Sequence, residues 1–191
     1  WVRARSHRDD GARYAPGHII RSPKVRDSRW RYMFRRGLLG GTFDRVHEGH
    51  AWLINQALEH CTHLEIWITS DDVAKTKDKR CWDWSRRRSE IEMIIEPNSR
   101  SRVSFDVLHD SFGPAIEHPN ADAIICTNET LPGCEEINRI RMENQMKSLE
   151  IIVMEHARGS DGQVISSSRI RNGTIDQSGE LFVHESDFKG T

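Results

Sequence analysis

What this chain of 191 residues lacks narrows it first. No apolar run approaches the roughly 20 residues needed to cross a bilayer, and the N-terminus has no apolar core of the kind a secretory signal requires. The four cysteines, Cys61, Cys81, Cys126 and Cys134, form no Cys-x-x-Cys pair and no zinc-ligand spacing. They read as free thiols of a reducing compartment, so the expected location is cytoplasmic, with no membrane partner. Nor is there a surplus of positive charge: 28 Lys and Arg stand against 29 Asp and Glu, for a net −1. The balance is uneven. Residues 1–32 carry nine basic and three acidic residues, and the rest carries 19 and 26, so a +6 segment precedes a −7 body. An acidic body argues against a general nucleic-acid binder, while leaving room for one small polyphosphate at a locally basic site. The body has no internal repeat, no low-complexity stretch, and no Ser-His-Asp or Cys-His arrangement to supply a protein nucleophile.

Residues 1–32 show no sustained helix or strand period. The chain begins with Trp1, and Met33 stands directly before the first apolar strand. The expectation is that Met33 is the natural start and that 1–32 is a disordered leader or an over-extended reading frame. A targeting arm or a nucleic-acid-binding arm is the alternative. The domain is expected over residues 33–191, with the last ~15 residues as a tail.

What is present is concentrated in Leu39-Gly40-Gly41-Thr42-Phe43-Asp44-Arg45-Val46-His47-Glu48-Gly49-His50. An apolar strand end runs into a Gly-Gly turn, then Thr42, then two histidines spaced His-x-Gly-His, then a helical pattern from Ala51. Glycines let a backbone approach phosphates closely, and a helix N-terminus presents free N–H groups to anions. Two imidazoles there can donate to phosphate oxygens without adding a bulky fixed charge. The stretch reads as a nucleotide phosphate site for phosphoryl or nucleotidyl chemistry.

From Phe34 onward short apolar runs alternate with helical patterns. Strands are expected to end at residue 40 and to span 63–69, 102–108, 121–126 and 149–154. Helices are expected over 49–61, 84–95 and 132–147, with a short one starting near Ser167 or Ser168. This alternation predicts an α/β fold: a Rossmann-like, doubly wound, parallel five-stranded sheet with helices on both faces. Ligands on such sheets bind beyond the strand C-terminal ends at the switch point, and the candidate residues fall there.

Two further stretches carry charge or hydroxyls. After the second strand, Lys75, Lys77 and Lys79 make a flexible basic loop suited to a polyphosphate. Alone it would be read as a solvated surface loop. Near the C-terminus, Ile165-Ser166-Ser167-Ser168-Arg169-Ile170-Arg171 places capping serines and two arginines at a helix start, an anion cradle.

Gly-Gly-Thr-Phe-Asp followed by His-x-Gly-His resembles the signature of the His-x-Gly-His nucleotidyltransferase superfamily, and the Ile-Ser-Ser stretch resembles its late motif. Asp110-Ser111-Phe112-Gly113-Pro114, Thr127-Asn128-Glu129-Thr130 and Ile137-Asn138-Arg139 resemble the Asp-Pro-Tyr-Gly-Pro, Ser-Glu-Glu-Thr and Ile-Asn-Arg motifs of phosphopantetheine adenylyltransferases of the archaeal and eukaryotic type. The resemblance spans about residues 35–173, with several motifs in order.

That resemblance implies ATP and 4′-phosphopantetheine as partners, giving dephospho-CoA and pyrophosphate by in-line attack, with no covalent enzyme intermediate and no general base. It implies His50, His47, Thr42 and Lys77 as catalytic groups. For ATP it implies Gly40, Gly41, Thr42, Phe43, His47, Gly49, His50, Glu129, Ser166, Ser167, Ser168 and Arg169. For the acceptor it implies Thr42, Lys77, Asn138 and Arg139. In the superfamily a lysine of the basic loop contacts the reacting phosphates, and register on the pattern favours Lys77 over Lys75 and Lys79. Mg²⁺ is expected to ride on ATP phosphates and water, with no metal cage from the protein. The oligomeric state is open, with a monomer as the expectation. Cytidylyltransferases for glycerol or choline phosphate and FMN adenylyltransferases share the first motifs and remain rivals. A non-catalytic nucleotide-binding regulator is a rival of another class.

Overall fold

The structure is a computed structural model, and it describes residues 34–182. The expected leader and start at Met33 lie outside the described residues, as do residues 183–191 of the expected tail.

Five strands, β1 (Phe34–Gly41), β2 (Cys61–Thr69), β3 (Val103–Leu108), β4 (Ala123–Thr127) and β5 (Glu150–Met154), form one sheet in the order β3-β2-β1-β4-β5. Every pairing is parallel. The order reverses between β1 and β4, so a switch-point crevice opens beyond their C-terminal ends. Helices α1 (Glu48–His60), α2 (Asp71–Lys77), α3 (Trp84–Ile94) and α4 (Leu131–Glu143) lie between the strands, and α5 (Ser167–Arg171) follows the last of them. The expected doubly wound α/β sheet is therefore present.

Strand period explains the two-sided core. Successive side chains leave a strand on opposite faces. Leu39, Ile66, Ile68, Ile125 and Ile152 meet Ile54, Ala57, Leu58, Ile91 and Ile95 of the α1 and α3 side. Their neighbours Leu38, Ile124, Cys126 and Val153 meet Cys134 and Ile137 of α4 on the other face. Each fully buried Ile or Leu contributes roughly 1.5–3 kcal/mol.

Two elements differ from expectation. The stretch expected as a flexible basic loop holds a helix. Ser70 caps it, accepting from Val73 N at 3.3 Å, and Asp71 and Asp72 fill the first turn with Lys75 and Lys77 in the last. Charge thus follows the helix dipole at both ends. Helix α4 stops at Glu143, four residues short of the expected end. Gln145 takes φ 58°, Gln145 N donates to Met142 O and Met146 N donates to Arg141 O, the paired bonds of a left-handed helix stop. The expected tail begins inside described chain. Gln177 O accepts from Glu48 N at 3.0 Å, and Leu181 bridges to Ile175.

Candidate active site

The turn after β1 is shaped by its own residues. Phe43 and Arg45 have φ of 53° and 49°, left-handed backbone that costs non-glycine residues about 1–3 kcal/mol each. The turn holds that shape because Phe43 is buried and Asp44 is locked. Asp44 accepts from Trp82 N at 3.0 Å and pairs with Arg171. Gly41 is required by Phe43: a Cβ there would lie 2.8 Å from the ring. Helix α1 starts directly behind, with His47 as its N-cap residue.

His47 and His50 stack, with ring centroids 3.9 Å apart at 21°, and Phe43 lies 5.3 Å from His50. Burial pushes His50 down to about 4. His47 falls further, to about 2, through burial and then the nearby His50 and His156. Both are neutral at pH 7 and act as hydrogen-bonding groups rather than cations. The Nδ1 atoms of both are buried without a protein partner. An unsatisfied buried polar atom costs about 1–3 kcal/mol, so this corner is arranged for a ligand with polar atoms.

Two cavities open from the switch point. One, about 420 Å³, is the more polar of the two and gathers Phe43, His47, Gly49, His50, His156, Ser166, Ser167, Ser168 and Arg171. The other, about 370 Å³, is walled by Trp67, Val73, Leu108, Phe112, Pro114 and Ile137. They share Gly40, Gly41, Thr42, Lys77, Ile125, Cys126, Glu129 and Thr130. A larger hollow of about 740 Å³ lies along edge strand β3 and holds no motif residue.

Most sequence-derived residues therefore converge. Of the three loop lysines, Lys77 lines both cavities, while Lys75 and Lys79 line neither. Glu129 sits on the rim, largely exposed, with its carboxylate 3.8 Å from His156 Nε2. Three expected residues do not join. Arg169 is held by Asp161 and by Val164 O at 3.0 Å, away from the cavity. Asn138 spends both amide atoms on the Leu149 backbone, at 2.9 and 2.8 Å, tying α4 to β5. Arg139 is paired on the surface with Glu136 and Glu143.

The arginine that does reach the polar cavity is Arg171. It pairs with Asp44, lies 3.1 Å from Asp78 and donates to Ser168 Oγ at 3.0 Å. Helical period was the available signal: from Ser167 and Ser168, the residues three and four positions on share their face, and Arg169 does not. His156 was also missed, having no motif of its own.

Arg87 was invisible in sequence, yet it fixes the junction. It is fully buried on α3, and its N–H groups reach Trp82 O, Thr42 O, Thr69 O, Thr69 Oγ1 and Asp71 Oδ1 at 2.8–3.3 Å. One guanidinium thus joins the turn after β1, the end of β2 and the start of the helix bearing Lys77.

A glycine turn, a helix N-terminus and paired histidines at a switch point define a nucleotide-handling α/β domain. Residues 38–173 match the cytidylyltransferase-like family. A phosphopantetheine adenylyltransferase of Methanopyrus kandleri is 35% identical over 146 residues, covering 75% of this chain and 92% of that protein. One from Methanosarcina barkeri is 38% identical over 149 residues, covering 75% and 90%. Among solved structures, a protein of unknown function from Archaeoglobus fulgidus superposes with a TM-score of 0.56 at 21% identity, covering 62% of this chain and 97% of that one. The tyrosyl-tRNA synthetase of the same organism, complexed with L-tyrosine, gives 0.52 at 13%, covering 71% and 59%. Those two likenesses concern the fold alone. The chain belongs to the cytidylyltransferase-like family and to its phosphopantetheine adenylyltransferases.

Proposed function

We propose that this chain transfers the adenylyl group of ATP to 4′-phosphopantetheine, giving dephospho-CoA and pyrophosphate in coenzyme A biosynthesis. The observation that carries the reading is the pair of unlike cavities meeting at Thr42 and Lys77. A reaction that joins a nucleotide to a long extended arm through a phosphate fits that arrangement. Relatives named phosphopantetheine adenylyltransferase support the choice of acceptor.

ATP occupies the polar cavity with its α-phosphate against the N-terminus of α1. An oxygen of the acceptor phosphate attacks the α-phosphorus, the bond to the bridging β-oxygen breaks, and pyrophosphate leaves. The attacking group is already an anion, so no general base is required. His50 donates to the α-phosphate as charge builds, and His47 supports the oxygens beside it. Their neutrality suits this role, since a neutral donor follows developing charge without clamping the ground state. Thr42 and Lys77 hold the two reacting phosphates together at the junction. Ser166, Ser167, Ser168 and Arg171 hold the leaving pyrophosphate. Trp67, Leu108, Phe112 and Ile137 take the pantetheine arm. Arg87 keeps Thr42 and the Lys77 helix in register.

Mg²⁺ would be supplied with ATP rather than held by the protein alone. Among the described residues no three His, Cys, Asp or Glu side chains gather for a metal, and Asp44 and Asp78 are engaged by Arg171. The ion would be carried on phosphate oxygens and water, where it screens the triphosphate. Among the same residues no helix is long and apolar enough to cross a membrane. The four cysteines are free, which supports a reducing, cytoplasmic setting.

The test is pyrophosphate release by the full chain with Mg²⁺, ATP and 4′-phosphopantetheine, with the organic product identified by mass. Dephospho-CoA formation, absent with CTP, is expected. Turnover of glycerol phosphate, choline phosphate or FMN instead would replace the acceptor.

A further inference from the structure

Glu65 stands midway along β2, beside Leu38 of β1, and is 9% exposed. Its chain neighbours Leu64 and Ile66 are buried apolar residues of the opposite face. A carboxylate in such a place carries a desolvation penalty that donors must offset, and a strand that only had to pack would hold an aliphatic residue there. Three donors meet it. Arg36 pairs with Oε1. Trp67 Nε1 donates to Oε2 at 3.2 Å, and His118 Nε2 lies 3.2 Å from the same oxygen. His118 Nδ1 accepts from Asn120 N at 3.3 Å, so the hydrogen belongs on Nε2 and points at the carboxylate. Two of these partners belong to different walls of the apolar cavity. Trp67 is part of its sheet wall, and His118 closes the segment whose Phe112, Pro114 and Ala115 form another. Glu65 and His118 themselves line neither cavity. The backbone of that segment has its own anchor: Arg141 of α4, 2% exposed, donates to Ala115 O at 2.7 Å and His118 O at 3.1 Å. Loss of the Glu65 carboxylate would therefore free the Trp67 and His118 side chains and leave the fold in place.

We propose that Glu65 is a positioning residue for the acceptor: its carboxylate ties the Trp67 wall of the apolar cavity to the 112–118 wall and so sets the width open to the arm. A tryptophan ring turns freely about its side-chain torsions unless something selects an orientation, and the bond from Nε1 to Glu65 selects one. A single oxygen meeting N–H groups from both walls fixes their separation, because such contacts are short and directional. Glu65 touches no reacting atom, so it acts on binding of the arm and not on the chemical step. The consequence for the acceptor rests on the function proposed above; the tie between the walls does not.

The experiment compares the full chain with Glu65→Ala and Glu65→Gln, and with a Trp67→Phe, His118→Phe chain with and without Glu65→Ala. Steady-state kinetics with Mg²⁺, ATP and 4′-phosphopantetheine are read beside fluorine NMR of the chain labelled with fluorotryptophan, in which Trp67→Phe assigns one signal. Glu65→Ala is expected to raise KM for the acceptor about tenfold, with kcat and KM for ATP within about twofold, and to shift or broaden the Trp67 signal. Glu65→Gln keeps an oxygen for both donors and recovers most of the acceptor KM. Once the Trp67 and His118 N–H groups are gone, Glu65→Ala adds less than about twofold, since the partners it acts through are absent. The proposal is overturned if Glu65→Ala leaves the acceptor KM or the Trp67 signal unchanged, raises KM for ATP equally, or adds its full effect to the double variant. Should Glu65→Ala fail to fold, His118→Phe alone decides: it lies outside the cavity lining and must still raise the acceptor KM, and an unchanged KM overturns the proposal. If the Trp67 signal responds to Glu65→Ala but the wild-type chain makes no dephospho-CoA, the tie between the walls stands and the acceptor assignment fails.

Discussion

The two cavities share a junction but differ in which stretches of the chain line them. The polar one takes about half of its lining from two contiguous stretches, 40–50 and 164–171, whose residues sit on a turn and two helix starts, and most of the rest from α1, α2, β4 and residues 155–157. The apolar one draws mostly on residues 108–115 and on β4 with α4, with smaller shares from the end of β1 and the turn after it, Trp67 and Thr69 of β2, and Val73 and Lys77 of α2. Recognition of phosphate needs backbone N–H groups and a fixed turn, which only neighbouring residues supply. Recognition of a long arm needs contact area along its length with a few polar groups for its amides, and these can come from several parts of the chain. The phosphate side of the site is thus centred on one compact stretch, and the other cavity is not.

The sharpest way to probe this comparison is to damage each side separately. His50→Ala is expected to lower kcat by about 10²–10³ with the chain still folded by circular dichroism. Turnover within a few-fold of wild type would remove His50 from the phosphate contacts. Next in size is the contrast between the two arginines of α5. Arg171→Ala should cut kcat/KM for ATP by about 10–100-fold, since it loses a charge-assisted contact and frees Asp44. Arg169→Ala should alter thermal stability with little kinetic effect, because its partners are Asp161 and Val164 O. Equal kinetic losses would mean that α5 presents a different face when nucleotide binds.

On the apolar side, Leu108→Ala should raise KM for the acceptor about tenfold, the range expected for lost methylene contacts, with KM for ATP unchanged. A rise in both would show that the cavities are not separable. The pH response belongs to the polar side. Both histidines are held below their usual value of 6.5, His50 to about 4 and His47 to about 2. The unfolded chain therefore binds protons first as pH falls. Stability is full above pH 6.5 and is lost as pH drops toward about 4, where folded His50 takes its proton, with His47 extending the loss lower. Melting temperatures from pH 7.5 to 4.5 should fall with acid, and fall less in a His47→Asn, His50→Asn chain. The smallest effect is expected from Arg139→Ala, whose surface ion pairs are worth ~0–1 kcal/mol. Kinetics should stay within about twofold of wild type by the pyrophosphate assay.

Sequence reading succeeded where function is local. The strand alternation predicted the parallel sheet, and the Gly-Gly turn and histidine pair lie where the motif required. Lys77, the lysine favoured for phosphate contact, is the one of the three that lines the cavities, although the loop expected around it is a capped helix. Reading failed where a side chain's direction decides its role. Arg169 and Arg171 differ by two positions, which on a helix turns them to different faces. Asn138 lies in a motif-like stretch, yet its amide serves the backbone of Leu149. Arg87 gathers carbonyls from Thr42, Thr69 and Trp82, segments that meet only once the chain has folded. No local pattern marks such a residue.

The most direct measurement is a crystal structure of the full chain with dephospho-CoA, the product that spans both substrates. The adenosine should lie in the polar cavity beside His47 and His50, the diphosphate at Thr42 and Lys77, and the pantetheine arm between Trp67, Leu108 and Phe112. An arm that leaves the apolar cavity empty, or a diphosphate away from Thr42 and Lys77, would contradict the claim that the two cavities hold the two halves of one product.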